Sequence, residues 1–267
     1  MEFAQIINNK HTSYFLPRNY LFNKKIDSIN IKYVSIPSNV SVIRSKAFKD
    51  CINLRIINIP SSVEVIESFA FSGCSSLKHL NLSQSIKRID FSAFFECISL
   101  ETIRLPKFIS DIDNYLFYGC RKLKYIKLPK NVKKIGLYAF SECIALETIC
   151  FPNSLNEIKE GAFSYCKSLK NASLPSKLEI IGEDAFFSCI NLTRINIPKR
   201  VHVISNYIFS NCTNLENVKI PSSVRKIGNG AFAFCSKLSI NLCLTGSFSV
   251  GEFAFFKCKS INLCQGL

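Results

Sequence analysis

The sequence has few of the residues that metal sites and catalytic sites need. It contains three histidines, His11, His79 and His202, and no C-x-x-C or H-x-x-x-H pair, so the closely spaced ligands of a zinc site are missing. No periodic serine or carboxylate accompanies the histidines, and no glycine-rich phosphate loop occurs. We therefore expect a protein that is not an enzyme and that uses no cofactor, no metal and no small-molecule substrate.

Long apolar runs are also absent. The first residues, MEFAQIINNK, lack the basic start and the extended apolar core of a secretory signal, and no stretch is long enough to predict a transmembrane helix. The thirteen cysteines are odd in number, which together with the missing signal favours reduced thiols over disulfides. These features favour a cytoplasmic or peripheral membrane protein and leave the compartment open.

Acidic residues are scarce relative to basic ones. The chain has 34 Lys and Arg against 19 Asp and Glu, a formal net charge of +15 over 267 residues. Such a balance favours anionic partners, among them nucleic acids, acidic protein surfaces and phospholipid headgroups. The apolar fraction of 48% is ample for a packed core.

Cysteine recurs with a strict period. Ten cysteines follow one another at a constant interval of 23 residues. Each has a phenylalanine three residues before it and a leucine or isoleucine three residues after it. Catalysis does not need ten copies of one residue, so we interpret these thiols as packing groups inside a repeat structure. The ten ladder cysteines are Cys51, Cys74, Cys97, Cys120, Cys143, Cys166, Cys189, Cys212, Cys235 and Cys258.

The full unit reads P-x-x-V-x-x-I-x-x-x-A-F-x-x-C-x-x-L-x-x-I-x-L. Its last part predicts a short strand in which Ile103 and Leu105 face inward while Thr102 and Arg104 face outward. The following proline ends the strand, since it has no backbone N–H to donate. The A-F-x-x-C part is short and apolar, which favours one helical or 3₁₀ turn that buries Phe94 and Cys97.

This unit closely resembles the 23-residue leucine-rich repeat of BspA-like proteins, and IPSSV occurs at 59–63 and again at 220–224. The resemblance implies an α/β solenoid: a right-handed leucine-rich-repeat superhelix with one short parallel strand per coil and helical or 3₁₀ turns on the opposite wall. It also implies surface adhesion or host-protein binding. We expect a cap or partly disordered segment at 1–27, the solenoid at 28–258, and a terminal cap strand or tail at 259–267.

The outward strand positions form the predicted binding surface, a polar and mildly basic strip. Too few aromatic residues accompany the strip for a nucleic-acid stacking platform, so the expected partner is a protein, including a glycoprotein or an extracellular matrix protein. The predicted binding residues are His79, Arg104, Tyr125, Lys127, Arg194, Asn196 and Lys219.

Cysteines outside the ladder support two alternatives. Cys150 occupies an outward strand position, so it is the candidate for an exposed thiol and for redox activity. Cys264 begins the final tetrapeptide CQGL, a weak C-a-a-X match that would direct prenylation and anchor the chain at a membrane surface.

Overall fold

The computed structural model describes residues 3–8, 12–17, 31–243 and 248–264, and the side chains of 31–242 and 248–262. Residues 31–243 and 248–264 wind into a solenoid of parallel strands with about ten coils, and successive coils are 23 residues apart except at the carboxy-terminal end. At the amino-terminal end, β1 (Phe3–Asn8) and β2 (Thr12–Pro17) pair as an antiparallel hairpin, and β1 pairs antiparallel with the first strand of the solenoid. The proposed boundaries at residues 27 and 258 stay predictions.

One wall of the solenoid carries the predicted strands. Seven of them, from β7 (His79–Leu80) to β19 (Asn217–Lys219), form one parallel sheet in which each residue pairs with the residue 23 positions later. The buried and exposed residues alternate as expected, with Ile103 buried and Thr102 and Arg104 exposed. The strands are β3 (Tyr33–Ser35), β5 (Ile56–Asn58), β7 (His79–Leu80), β9 (Thr102–Arg104), β11 (Tyr125–Lys127), β13 (Thr148–Cys150), β15 (Asn171–Ala172), β17 (Arg194–Asn196) and β19 (Asn217–Lys219).

A second wall holds another strand in each coil, so the expectation of one strand per coil was wrong. These strands are two residues long and pair in parallel with their neighbours in three sheets, because the aliphatic residue six positions after the proline is buried and its backbone bonds to adjacent coils. They are β4 (Val42–Ile43), β6 (Val65–Ile66), β8 (Arg88–Ile89), β10 (Asp111–Ile112), β12 (Lys134–Ile135), β14 (Glu157–Ile158), β16 (Ile180–Ile181), β18 (Val203–Ile204), β20 (Lys226–Ile227) and β22 (Ser249–Val250).

The third wall consists of turns, and the predicted helical or 3₁₀ turns are wrong for every coil that the structure describes. Around Phe94, the residues two before and two after it, Ser92 and Glu96, have φ of 55° and 54°. A left-handed residue interrupts the run of negative φ that a helix requires. Every second backbone N–H of this segment instead donates a hydrogen bond to a carbonyl of the next coil. The Phe94 N–H, for example, donates to the Leu116 carbonyl at 3.1 Å.

The core lies between the three walls. Phe94 and Cys97 have no exposed surface, which confirms their predicted orientation. Rings of successive coils from Phe48 to Phe255 stack with centroids 5.3–5.7 Å apart and planes within 20° of parallel. Every coil therefore covers the apolar face of the preceding one, which a single coil could not do alone.

The carboxy-terminal end departs from the period. Strand β21 (Ser239–Cys243) pairs in parallel with β23 (Ser260–Cys264), and their residues are 21 positions apart instead of 23. These strands are five residues long, longer than the strands of the preceding sheet. The shortening lies before the strand, which begins four residues after Cys235 and only two residues after Cys258.

Candidate binding surface

The structure brings the seven predicted binding residues onto one exposed wall. Arg104 and Lys127 are adjacent in the ladder between β9 and β11. Arg194 lies in β17, three strands beyond β11, where the neighbouring Asn196 faces Lys219 of β19. Two coils with uncharged outward residues separate these groups, so the predicted strip contains two basic clusters instead of one continuous stripe.

The remaining two predicted residues lie beside the first cluster. Tyr125 is in the same strand as Lys127, and its ring is 45% exposed. His79 is in β7, and its Nδ1 lies 3.3 Å from the Thr102 hydroxyl of the next coil. Both side chains therefore present polar atoms on the same face as Arg104.

A strip of four columns on this wall contains no carboxylate. We define the strand face as the two outward positions of each strand and the first two positions after the proline site, over the eight coils from β5 to β19. Its 32 positions hold nine cations and no Asp or Glu. The cations are Arg104, Lys107, Lys127, Lys130, Lys177, Arg194, Lys199, Arg200 and Lys219.

The carboxylates of the described chain lie outside the strand face. Seven ion pairs occur among the described side chains, and a single one, between Arg200 and Glu179 at 2.7 Å, involves a cation of the strand face. The other eight cations have no carboxylate partner in residues 31–242. The face therefore presents a positive potential to solvent, which complements an acidic surface.

The ladder thiols have a polar role that the repeat pattern did not predict. Each thiol from Cys74 to Cys258 donates a hydrogen bond to the carbonyl oxygen of the phenylalanine 26 residues earlier, at 3.1–3.3 Å. Burial raises the pKa of these thiols, for Cys97 from 9.0 to about 12. A protonated, buried donor is a poor nucleophile, so the packing interpretation of the ladder is supported.

The cysteines outside the ladder differ in what the structure describes. Cys150 is exposed and free, as predicted for the outward position of β13. The backbone of Cys264 lies in β23, whereas its side chain is outside the described part of the chain. Redox activity at Cys150 and prenylation at Cys264 stay predictions.

An aromatic cluster on the turn wall was missed by the sequence reasoning. The rings of Tyr115 and Tyr138 stack at 5.5 Å, and those of Phe95 and Tyr118 stack at 4.9 Å. The two residues of each pair are 23 positions apart in the sequence. An alignment of the repeats would therefore have shown that aromatic residues occupy equivalent positions in adjacent coils. Burial raises the pKa of Tyr118. The hydrogen bond that its hydroxyl donates to Glu142, at 3.0 Å, raises the pKa further.

Two other kinds of site are absent from the described residues. Within them, no three His, Cys, Asp or Glu side chains come close enough to hold a metal ion. Nor does this part of the chain contain a helix with the length and hydropathy to cross a membrane.

The 23-residue coil is also found in proteins with related sequences. The profile of the BspA type leucine-rich repeat region, with six copies, matches residues 18–147 and 133–262. The chain belongs to the BspA-type leucine-rich repeat family. The family predicted from the repeat is thereby confirmed, and so is a solenoid of parallel strands.

Solved structures resemble this BspA-type chain along most of its length. A leucine-rich repeat protein from Bacteroides ovatus is 28% identical, covering 97% of this chain and 81% of its own, with a TM-score of 0.60. A leucine rich cell surface protein from Faecalibacterium prausnitzii is 24% identical over 98% and 86% of the two chains, with a TM-score of 0.49. Comparison with curated proteins found no match.

Proposed function

We propose that this BspA-type repeat protein is a scaffold that docks a protein partner on its strand face. The observation that carries the proposal is the strip of 32 positions with nine cations and no carboxylate. A carboxylate-free strip on a chain that has 19 acidic residues favours recognition of an acidic surface over a merely solvated face.

The rigidity of the wall supports a docking role. Neighbouring strands of a sheet lie ~4.8 Å apart, so outward side chains of successive coils form regular rows on a backbone that is hydrogen-bonded on both sides. Such a surface loses little conformational freedom when a partner binds, which lowers the entropic cost of association. The family consists of repeat scaffolds, which supports binding in place of catalysis.

The partner class is narrowed by the family resemblance. Surface adhesion and binding of a host protein, a glycoprotein or an extracellular matrix protein are the activities that BspA-like relatives suggest. An acidic patch on any of these partners would match the charge of the strand face. The family resemblance and the charge of the strand face together support adhesion as the role of this binding.

A capture experiment tests the strand face. Reversing the charge at Arg104, Lys127, Arg194 and Lys219, each to Glu, should abolish capture of partner proteins from a lysate or matrix extract, since these side chains span both basic clusters. A control variant carries the same charge change at exposed lysines on the other walls, namely Lys46, Lys133, Lys167 and Lys226. An identical set of captured proteins from parent and strand-face variant, or an equal loss in the control, would reject the proposal.

A further inference from the structure

The first basic cluster extends beyond the strands into the turns that follow them. Two adjacent coils carry a cation at the last outward strand position and a second one three residues later: Arg104 with Lys107, and Lys127 with Lys130. All four line one depression of about 540 Å³, together with Phe108. The coils on either side have uncharged residues at these positions, namely Asn81 and Gln84 before, and Cys150 and Asn153 after.

The four cations have no compensating charge within the described chain. None of them is in an ion pair, and no Asp or Glu lines the depression. Arg104 and Lys127 are direct ladder partners, so their side chains start from backbones that are one strand spacing apart, ~4.8 Å. Like charges at this separation repel each other, and a bound anion would relieve that repulsion.

Apolar side chains form the floor of the depression, and the uncharged polar residues Gln84 and Asn131 complete its lining. Leu105 and Leu128 are almost fully buried beneath it, and Pro129 also lines it. The Phe108 side chain is 51% exposed, and the Lys107 ammonium lies 4.8 Å from the centroid of its ring. The site therefore combines a cationic rim with an apolar floor.

This combination discriminates between anionic ligands. Inorganic phosphate and sulfated glycans carry charge without an apolar group, so they would leave the floor uncovered. A sugar or a base that stacks on Phe108 would have to use the ring face opposite Lys107 or displace its ammonium. A peptide with glutamate or aspartate next to an aliphatic residue satisfies both the rim and the floor.

We propose that this depression binds an acidic peptide segment whose carboxylates contact Arg104, Lys107, Lys127 and Lys130 while an aliphatic side chain packs against Phe108. The inference rests on the proposed function, because the segment would belong to the protein that docks on the strand face. It assigns to Lys107, Lys130 and Phe108 a binding role that the strand pattern alone did not suggest.

Fluorescence polarisation with a short labelled peptide of glutamate and leucine tests the site on the full chain. The double variant Lys107→Gln and Lys130→Asn takes the residues of the neighbouring coils, so the turns should keep their shape. Its affinity for the peptide should fall about five- to tenfold, because each exposed charge contact contributes a few-fold. The matched control is Lys133→Ser with Lys226→Ser, which removes the same charge from exposed positions on another wall and should leave the affinity unchanged.

A second peptide, with serine in place of leucine, separates apolar contact from charge. It should bind several-fold more weakly, and circular dichroism of each variant confirms that the fold is retained. The inference is overturned if the peptide does not bind, if the control double variant loses as much affinity, or if a sulfated oligosaccharide binds more tightly than the peptide. Failure of peptide binding would leave the strand-face proposal standing, since the charge-reversal capture experiment tests that proposal independently.

Discussion

The thiol ladder should make the protein sensitive to alkaline pH. A folded-state pKa above the unfolded value means that the neutral thiol is favoured by folding, as for Cys97, whose pKa rises from 9.0 to about 12 through burial. Below pH 9 both states are protonated and the thiols contribute a constant stability. Between about pH 9 and 12 the unfolded chain loses protons that the folded chain retains, so stability falls as the pH rises.

The size of the effect follows from the number of buried thiols. Each contributes a slope of about 1.4 kcal/mol per pH unit within this window. Eight fully buried ladder thiols, from Cys74 to Cys235, have raised pKa values, and together they produce about 11 kcal/mol per pH unit. Since domains are typically stable by about 5–15 kcal/mol, we expect unfolding near pH 10.

Urea unfolding followed by circular dichroism, at fixed ionic strength with a reductant and at pH values from 8 to 10, measures this slope. Replacing Cys97, Cys120 and Cys143 together by alanine should lower the slope by about 4 kcal/mol per pH unit, whatever the loss of stability at neutral pH. Replacing the exposed Cys150 by alanine is the matched control and should leave the slope unchanged. Equal slopes in the triple variant and the parent would refute the argument that ladder thiols are buried in the neutral form.

Three other predictions address the core, the coil contacts and the exposed thiol. Phe140→Ala, which removes a fully buried ring from the middle of the stack, should lower the free energy of unfolding by about 3–5 kcal/mol in chemical denaturation. Gly182→Ala should cost about 2 kcal/mol or more in the same assay, because its added Cβ would lie 2.4 Å from the backbone nitrogen of Glu160 in the preceding coil. A thiol reagent should modify Cys150 before any ladder cysteine of the described chain, and mass spectrometry of the labelled peptides measures that order position by position.

Much of the fold was predictable because the information is local and repeated. The alternation around Ile103 determined which side of the strand is buried, and the 23-residue recurrence of Phe94 and Cys97 determined that both belong to the interior. A pattern that recurs ten times averages out the ambiguity of any single short apolar run. The position of the strand face followed from the same alternation.

What the sequence did not determine depends on hydrogen bonds between coils. The turn around Phe94 contains an apolar stretch that would suit a helical turn, but its N–H groups bond to the next coil, and the backbone takes positive φ at Ser92 and Glu96 to present them. The second strand of each coil has the same origin, because two residues form a strand only when neighbouring coils supply the ladder.

The sequence by itself determined the coil, its period and its buried residues, because a local pattern of apolar side chains is enough to define them. Only the tertiary structure decided which residues of different coils meet. Stacking at 23-residue intervals aims each ladder thiol at a phenylalanine carbonyl of the previous coil and places Lys107 and Lys130 in one depression with Arg104 and Lys127. Those contacts join residues far apart in the chain, so they exist only after the coils are packed.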